Sequence, residues 1–576
     1  MDIALADSSR SAITSYQAGT EYLAQPPPWA LTTMGTSQMQ TEGSKAKRLL
    51  REAIAAITIT LIGAAVLAPA FPFGRSLAGH RDALFSAVAV EHVRRSLVGD
   101  VQLLSSPLGW PVPDRLALTD WFGLQGLLSV PLRAMGIDAI SGYTMLSVVG
   151  LGLSAWILYR MATALLDFGP EGAVVGLFVG FGSVSVAHLG HANLVTHWPG
   201  LLGLLLLGLG LHRRRVWMAA VGGGCVGLAV HGGFYVGAHL GVPIIVLLLT
   251  AAAFRASSWK TICAGFAGWA AGLMTALPVA TVYARAAASW DAEISMSERV
   301  HTSLDPLRLI LPDGRLWLHG LLGADWPAGT LEPQTDGYAA FALAMLGGVV
   351  VLRKRSDLRW VWLAVLGTLC ATWLLALGPE IRIGGVSLGS GPALLVEPLA
   401  GRMRAPARWL VISQMCLGLF GAAGWKRIWD LGRPGRLAAV LIVPVVLMEK
   451  ARPEIVPADT FEVPTVYEHV LRGDGPIVDL VGRRCSCYDG ARVTAVATHQ
   501  RPVVGGRFAR PSRELDSVNE LAGRWPGASA VAYFDALGVD LVIDHRGKRP
   551  TPDGWVCDEV DDEHRVCTRS AVSPSW

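Results

Sequence analysis

Residues 53–74, AIAAITITLIGAAVLAPAFPFG, run without one charged side chain. A helix of that length crosses the hydrocarbon layer of a bilayer, about 30 Å thick. Similar uncharged runs recur as far as Met448. In lipid, backbone N–H and C=O groups must be satisfied within each segment, so such runs fold as a helical bundle. Composition agrees: 16% of residues are charged, against about 25% in soluble domains. The expected fold class is a polytopic α-helical membrane protein.

The net charge of +4 is small, and basic residues fall in short clusters between apolar runs. That pattern marks membrane topology and argues against nucleic acid as a partner. The chain carries no P-loop, no dinucleotide glycine fingerprint and no CxxC pair; most glycines fall inside apolar runs, where they permit close helix packing. Residues 1–44 are polar, include QPPPW, and precede KAKRLLRE. They are expected to form a disordered cytoplasmic tail rather than a cleaved signal peptide.

Lys- and Arg-rich loops stay in the cytoplasm. The clusters here are 45–51, 212–215, 254–260, 353–359 and 425–436. Eleven spans place all of them inside with a cytoplasmic amino end: 53–73, 139–159, 173–188, 197–211, 216–231, 234–253, 261–283, 338–352, 359–377, 407–424 and 437–449. The segment LTDWFGLQGLLSVPLRAMG (118–136) carries Asp120 and Pro131. Counting it as a span would invert every later loop, so it reads as a re-entrant or interfacial helix.

This topology gives a transmembrane domain over 45–452, with an outward first loop at 74–138. The charged, Pro-rich stretch 453–576 follows, with strand-like runs PIVDLV, RVTAVAT and VDLVID. It is expected to be a small extracytoplasmic α/β domain of about 120 residues, an ordinary domain size. Cys557 and Cys567 could pair across a hairpin in an oxidising compartment, although connectivity is not fixed by sequence. The expected location is a cell (inner) membrane.

Polar groups gather in the outward loops. Residues 80–98 read as an amphipathic helix with Leu84, Phe85, Val88 and Val93 on its apolar side. On that reading Asp82 favours the helix dipole from the first turn, and Glu91 pairs with Arg95 at the surface. The next outward loop offers His188, His191 and Asn193, and the first loop adds Asp120. His188 and His191 could share a helix face, but no spacing names a third metal ligand. Hydrogen bonds to a polar ligand fit them better than zinc. Arg402, Arg404 and Arg408 in GRMRAPARW are basic on the outer side. Guanidiniums there can grip a phosphate through paired hydrogen bonds or snorkel to lipid headgroups.

Three stretches carry a family resemblance: SSPLGWPVPDRLALTDWFGLQGLLSVPLRAMGIDAISGYTML, HLGHANLVTHWPGLLGLLLLGLGLHRR and GRMRAPARWLVISQMCLGLFGAAGW. With a span followed by an outward loop holding an early acidic residue, the chain resembles the GT-C class of integral-membrane glycosyltransferases. It resembles in particular a bacterial branch related to YfhO-like membrane proteins, over about residues 50–545. The resemblance implies a polyprenyl-phosphate-linked sugar donor and an envelope acceptor (glycan, lipid or protein) glycosylated on the outer side of the bilayer. It makes Asp82 the general base, with Glu91 as the second candidate catalytic carboxylate. Arg404, Arg408 and Arg402 would hold the donor phosphate, and His188, His191, Asn193 and Asp120 would contact donor or sugar. Many members of the wider group have an Asp-Asp or Glu-Asp pair at the base position; here Asp82 stands between Arg81 and Ala83. No cofactor is implied beyond a divalent cation as a candidate. The alternatives are a transporter or lipid flippase, or a non-catalytic envelope assembly protein of the same fold.

Overall fold

The structure, a computed structural model, describes residues 81–166, 190–289, 294–309, 337–353, 357–396, 403–450, 475–480, 499–505, 513–545, 550–560 and 564–570, with short pieces and single residues between them. The chain divides into two compact units, Met1–Ala56 and Ile57–Trp576. In the first, Leu50 and Ile54 are described, as exposed helical residues. The expected tail 1–44 lies outside the described residues, as does the expected span 53–73 apart from Ile54. Every element named below belongs to the second unit.

In chain order the unit begins with α1 (Arg81–Leu97), β1 (Leu108–Trp110), α2 (Gly123–Ala134), α3 (Ala139–Leu165) and α4 (Gly172–Gly180). It continues with α5 (Trp198–His212), α6 (Val216–Leu228), α7 (Phe234–Ala253), α8 (Trp259–Met274), α9 (Leu277–Ser289) and the short α10 (Met296–His301). Next come α11 (Tyr338–Arg353), α12 (Arg359–Ala376), the hairpin β2 (Glu380–Ile383) and β3 (Val386–Ser390), α13 (Leu410–Trp429) and α14 (Arg433–Lys450). The last elements are β4 (Ile477–Leu480), β5 (Val503–Val504), α15 (Arg513–Ala522), α16 (Ala528–Ala536), β6 (Leu541–Asp544), β7 (Trp555–Glu559) and β8 (Arg565–Arg569).

Among the described residues, five helical stretches are long and apolar enough to cross a membrane: Ala139–Leu165, Ala192–His212, Phe234–Ala253, Arg359–Ala376 and Pro406–Trp429. The protein is a polytopic membrane protein. These five stretches fall on spans expected from the sequence. The expected span 261–283 is instead two helices, α8 and α9, bent by 50°. Pro278 explains the break: it has no N–H for the Met274 carbonyl, and its ring crowds that turn. The expected spans 216–231 and 338–352 are shorter apolar helices. Segment 118–136 holds α2, whose 12 residues reach about 18 Å, too short to cross.

The spans share one apolar core, from Leu158 and Leu201 to Ile244, Leu369 and Phe420. A close seam joins α6 to α8, where Gly223, Gly224 and Gly227 meet Gly265, Gly268 and Gly272. A Cβ on Gly223 would collide with the Gly265 carbonyl, so glycine sets this backbone approach.

Outside the spans lies a six-stranded sheet in the order β1-β5-β4-β6-β8-β7. Strands β1, β5, β4 and β6 run parallel, while β8 lies antiparallel to β6 and β7 to β8. Edge strand β1 comes from the first loop, so that loop and the carboxyl-terminal strands share one sheet. The runs PIVDLV and VDLVID contain β4 and β6, whereas most of RVTAVAT lies outside the described residues. Cys557 and Cys567 face each other across β7 and β8 as a disulfide.

Helix α1 departs from its expected amphipathic form. Every residue from Ser86 to His92 is buried, and Ala83, Leu84 and Val93 are buried as well. They share a core with Tyr143, Tyr467, Ile477, Leu541 and Ile543. The helix is enclosed because its apolar residues share a core with strands nearly 400 positions later, while Glu91 meets Arg133 of α2 and His92 the carbonyls of Gln102 and Leu103.

Candidate functional site

The amino end of α7 organises one end of the bundle. Gly233 precedes it at φ +145°, and a Cβ there would press on Asp120 Oδ2 and Asn193 Cβ, each at 3.0 Å. Glycine therefore lets α7 start directly against Asp120. The Asp120 carboxylate accepts from Phe234 N at 2.9 Å and Trp121 N at 2.9 Å through Oδ1. Its Oδ2 accepts from Asn193 Nδ2 at 2.6 Å. An anion here satisfies an orphan helix N–H and meets the positive end of the dipole.

Neighbouring bonds hold this corner. Gln125 Nε2 donates to the carbonyls of Gly232 at 2.7 Å and Ala192 at 3.3 Å. Tyr143 OH donates to Gly190 O at 2.7 Å and accepts from Ala192 N at 2.8 Å. Trp121 Nε1 donates to His231 Nδ1 at 3.2 Å, and the other nitrogen of His231 meets Thr275 Oγ1 at 2.9 Å, beside the α8–α9 break.

The next residue, Tyr235, faces the basic stretch. Its hydroxyl accepts from Arg404 N at 3.0 Å, and the Arg408 guanidinium stands 5.1 Å from its ring centre. Arg404 Nε donates to Glu298 Oε1 at 2.5 Å, and the Arg404 carbonyl accepts from Thr302 Oγ1 at 2.7 Å. One turn along α7, fully buried His239 stacks on His197 with facing nitrogens at 3.3 Å. Trp409 also packs on His239, with ring centres 5.1 Å apart. His188 and His191 sit edge to face, ring centres 5.7 Å apart. His188 stands within electrostatic range of both His197 and His239.

Of the residues expected to bind donor, Asp120, Asn193, Arg404 and Arg408 thus meet around the first turn of α7, although the sequence spreads them over nearly 300 positions. Asp82 stands in the first turn of α1, with its side chain outside the described residues; Arg402 lies outside them entirely. Glu91 calls for a correction. It does not pair with Arg95 at the surface. It is buried, with both oxygens engaged by Arg94 at 2.9 and 3.0 Å and a further contact to Arg133 of α2 at 3.5 Å. Arg95 stands instead 3.9 Å from Asp100.

Among the described residues no group of three or more His, Cys, Asp or Glu is arranged to hold a metal ion. The Asp120 oxygens already face three N–H donors, which leaves them badly disposed toward a cation.

Sequence reasoning missed Tyr235, His239, Glu298 and Gln125. His239 had a usable signal, an ionisable side chain inside the apolar run FYVGAHLGVPIIVLLL. Glu298 had none, because its partner is 106 residues away.

No family model matches the chain, and no curated protein matches it. Among solved structures it is similar to the arabinofuranosyltransferase AftD from Mycobacteria, with a TM-score of 0.54 at 15% identity over 90% of this chain. The match covers 40% of that protein, so the chain spans well under half of its length. A second match, at 12% identity, is the Archaeoglobus fulgidus oligosaccharyltransferase with a tethered acceptor peptide. It covers 85% of this chain and 69% of that one, with a TM-score of 0.41. The likeness to AftD at the level of fold agrees with the resemblance in the sequence: this chain has the GT-C fold, that of a class of integral-membrane glycosyltransferases.

Proposed function

We propose that the protein is a membrane glycosyltransferase that moves a sugar from a polyprenyl-phosphate donor to an envelope glycan, lipid or protein on the outer side of a cell (inner) membrane. The amino end is cytoplasmic, 45–452 is the transmembrane domain and 453–576 lies outside. The observation that carries the reading is the gathering of Arg404, Arg408, Asp120 and Asn193 around the start of α7, within a GT-C fold. The Arg408 guanidinium beside Tyr235, with the Arg404 guanidinium paired to Glu298 nearby, suits a lipid-linked phosphate, which a guanidinium can grip through two hydrogen bonds. The finer kinship, to the branch related to YfhO-like proteins, belongs to the same proposal.

In the reaction Asp82 removes the proton from an acceptor hydroxyl as its oxygen attacks the anomeric carbon. The bond from that carbon to the phosphate oxygen breaks, and the electron pair leaves with the lipid phosphate. Arg404 and Arg408 stabilise the charge gained on departure. A phosphate leaves readily as an anion, so no strong general acid is required. A single carboxylate base contributes about 10²–10⁴-fold, or about 3–5 kcal/mol of barrier. Polyprenyl-phosphate arabinofuranose is the first donor to try, after the protein similar in fold.

The test is sugar transfer in membranes holding the wild-type chain or Asp82→Asn. The variant is expected to lose about 100-fold or more in rate with donor affinity retained. Transfer at the wild-type rate would remove Asp82 from the mechanism.

A further inference from the structure

A second constellation of ionisable groups lies in the outer sheet, apart from the residues around α7. Asp479 of β4 is buried, and two side chains bind its carboxylate. Tyr467 OH donates to Oδ2 at 2.6 Å, and His545 Nε2 stands 2.8 Å from Oδ1. The side chains of Asp479 and His545 are 7% and 12% exposed. His564, at the start of β8, packs edge to face on His545 with ring centres 4.8 Å apart. On the opposite face of the same sheet end, Asp544 is fully buried opposite Arg565, 3.5 Å away.

Stability gives no reason for this arrangement. Ile477, Val478, Leu480, Val542 and Ile543 around it are all fully buried, and a buried ionic pair rarely outperforms apolar packing of the same volume. Its position is informative. The chain leaves β4 for β5 on one side and later enters β6 on the other. Strand order therefore reverses between β4 and β6, and in open parallel sheets ligands bind in the crevice beyond the carboxyl ends at such a point. Asp479 is the next-to-last residue of β4, and His545 directly follows β6.

We propose that the carboxyl ends of β4 and β6 form a second binding site, one that takes a short segment of neutral, hydroxyl-rich carbohydrate. With Nε2 turned to Asp479, His545 offers its other ring nitrogen to a ligand. That nitrogen suits a sugar hydroxyl. The buried Asp479 carboxylate beside it disfavours phosphate or sulfate. No metal-holding group is present among the described residues. The ligand class rests on the glycosyl-transfer reading, in which an outer domain has reason to hold the growing acceptor; the site itself rests on its own geometry.

Full-length protein in lipid nanodiscs, titrated with short soluble manno-, gluco- and arabino-oligosaccharides and followed by saturation-transfer NMR, tests the proposal. His545→Gln keeps a donor toward Asp479 and removes the second ring nitrogen. Asp479→Asn keeps the volume. The wild-type chain is expected to bind at least one series, and both variants to bind it about tenfold or more weakly. If Asp479→Asn fails to fold, His545→Gln decides alone. Equal binding by wild type and a folded variant, or no binding by the wild type, overturns the site. Binding that depends on His545 in a protein that transfers no sugar would sink the transferase reading and leave the site intact.

Discussion

The residue that best shows how this site is built is Asp120. Its place as a carboxylate between two apolar stretches is legible in the sequence. Its work is not, because its partners Asn193 and Phe234 lie 73 and 114 residues away. The carboxylate starts a helix and orients an amide, so it shapes the surroundings of Arg404 through Tyr235 without needing to touch the donor. Asp120→Ala removes three accepted hydrogen bonds and leaves the Asn193 amide without this acceptor. A lost cap costs about 1 kcal/mol and a stranded buried amide about 1–3 kcal/mol. The variant is expected to melt several degrees lower in detergent by differential scanning fluorimetry. An unchanged melting temperature would show that α7 does not depend on this cap.

At the scale of elements, α1 marks the limit of pattern reading. The sequence puts Glu91 at the surface of an amphipathic helix, yet Ser86, Glu91 and His92 are all buried. Local periodicity cannot report a sheet assembled from distant strands, nor an arginine reaching over from α2. The break between α8 and α9 is local by contrast, since Pro278 is visible in the sequence and acts on its own turn. Burial of α1 has a measurable consequence at His92, whose Nε2 faces the carbonyls of Gln102 and Leu103 at 3.1 Å each. Burial pushes its pKa down from 6.5 to about 4. The unfolded chain then takes up the proton first, so stability is full above pH 6.5 and falls as the pH drops toward 4. The loss approaches about 3 kcal/mol. His499, also lowered to about 4 by burial, acts in the same direction. His92→Gln keeps a donor and cannot titrate, so its melting temperature should fall less than that of wild type between pH 7 and pH 4.5. Parallel curves would mean that His92 does not titrate in this window.

At the scale of the whole molecule, apolar run length carries the membrane class, and three quoted stretches carry the likeness to GT-C proteins. The same sequence could not disclose that β1 joins the six-stranded sheet, because three residues at an edge have no signature of their own. Orientation rests on a separate principle, the cytoplasmic retention of basic loops, and the bundle makes it testable at chosen points. Asn193, beside the site, precedes α5, whose 15 residues carry the chain about 22 Å away to the exposed Arg214. On the site side, the hairpin of β2 and β3 follows α12, and its turn is tied to Asp305 by Gly385 N at 3.1 Å. Asp305 closely follows Thr302, the residue bonded to Arg404, and Leu388 in this hairpin is 62% exposed. In intact cells a membrane-impermeant maleimide should therefore modify Leu388→Cys and spare Arg214→Cys until the membrane is opened. The reverse pattern would turn Arg404 and Arg408 toward the cytoplasm. Transfer onto an outer-face acceptor could not then take place at α7, whatever the similarity of fold.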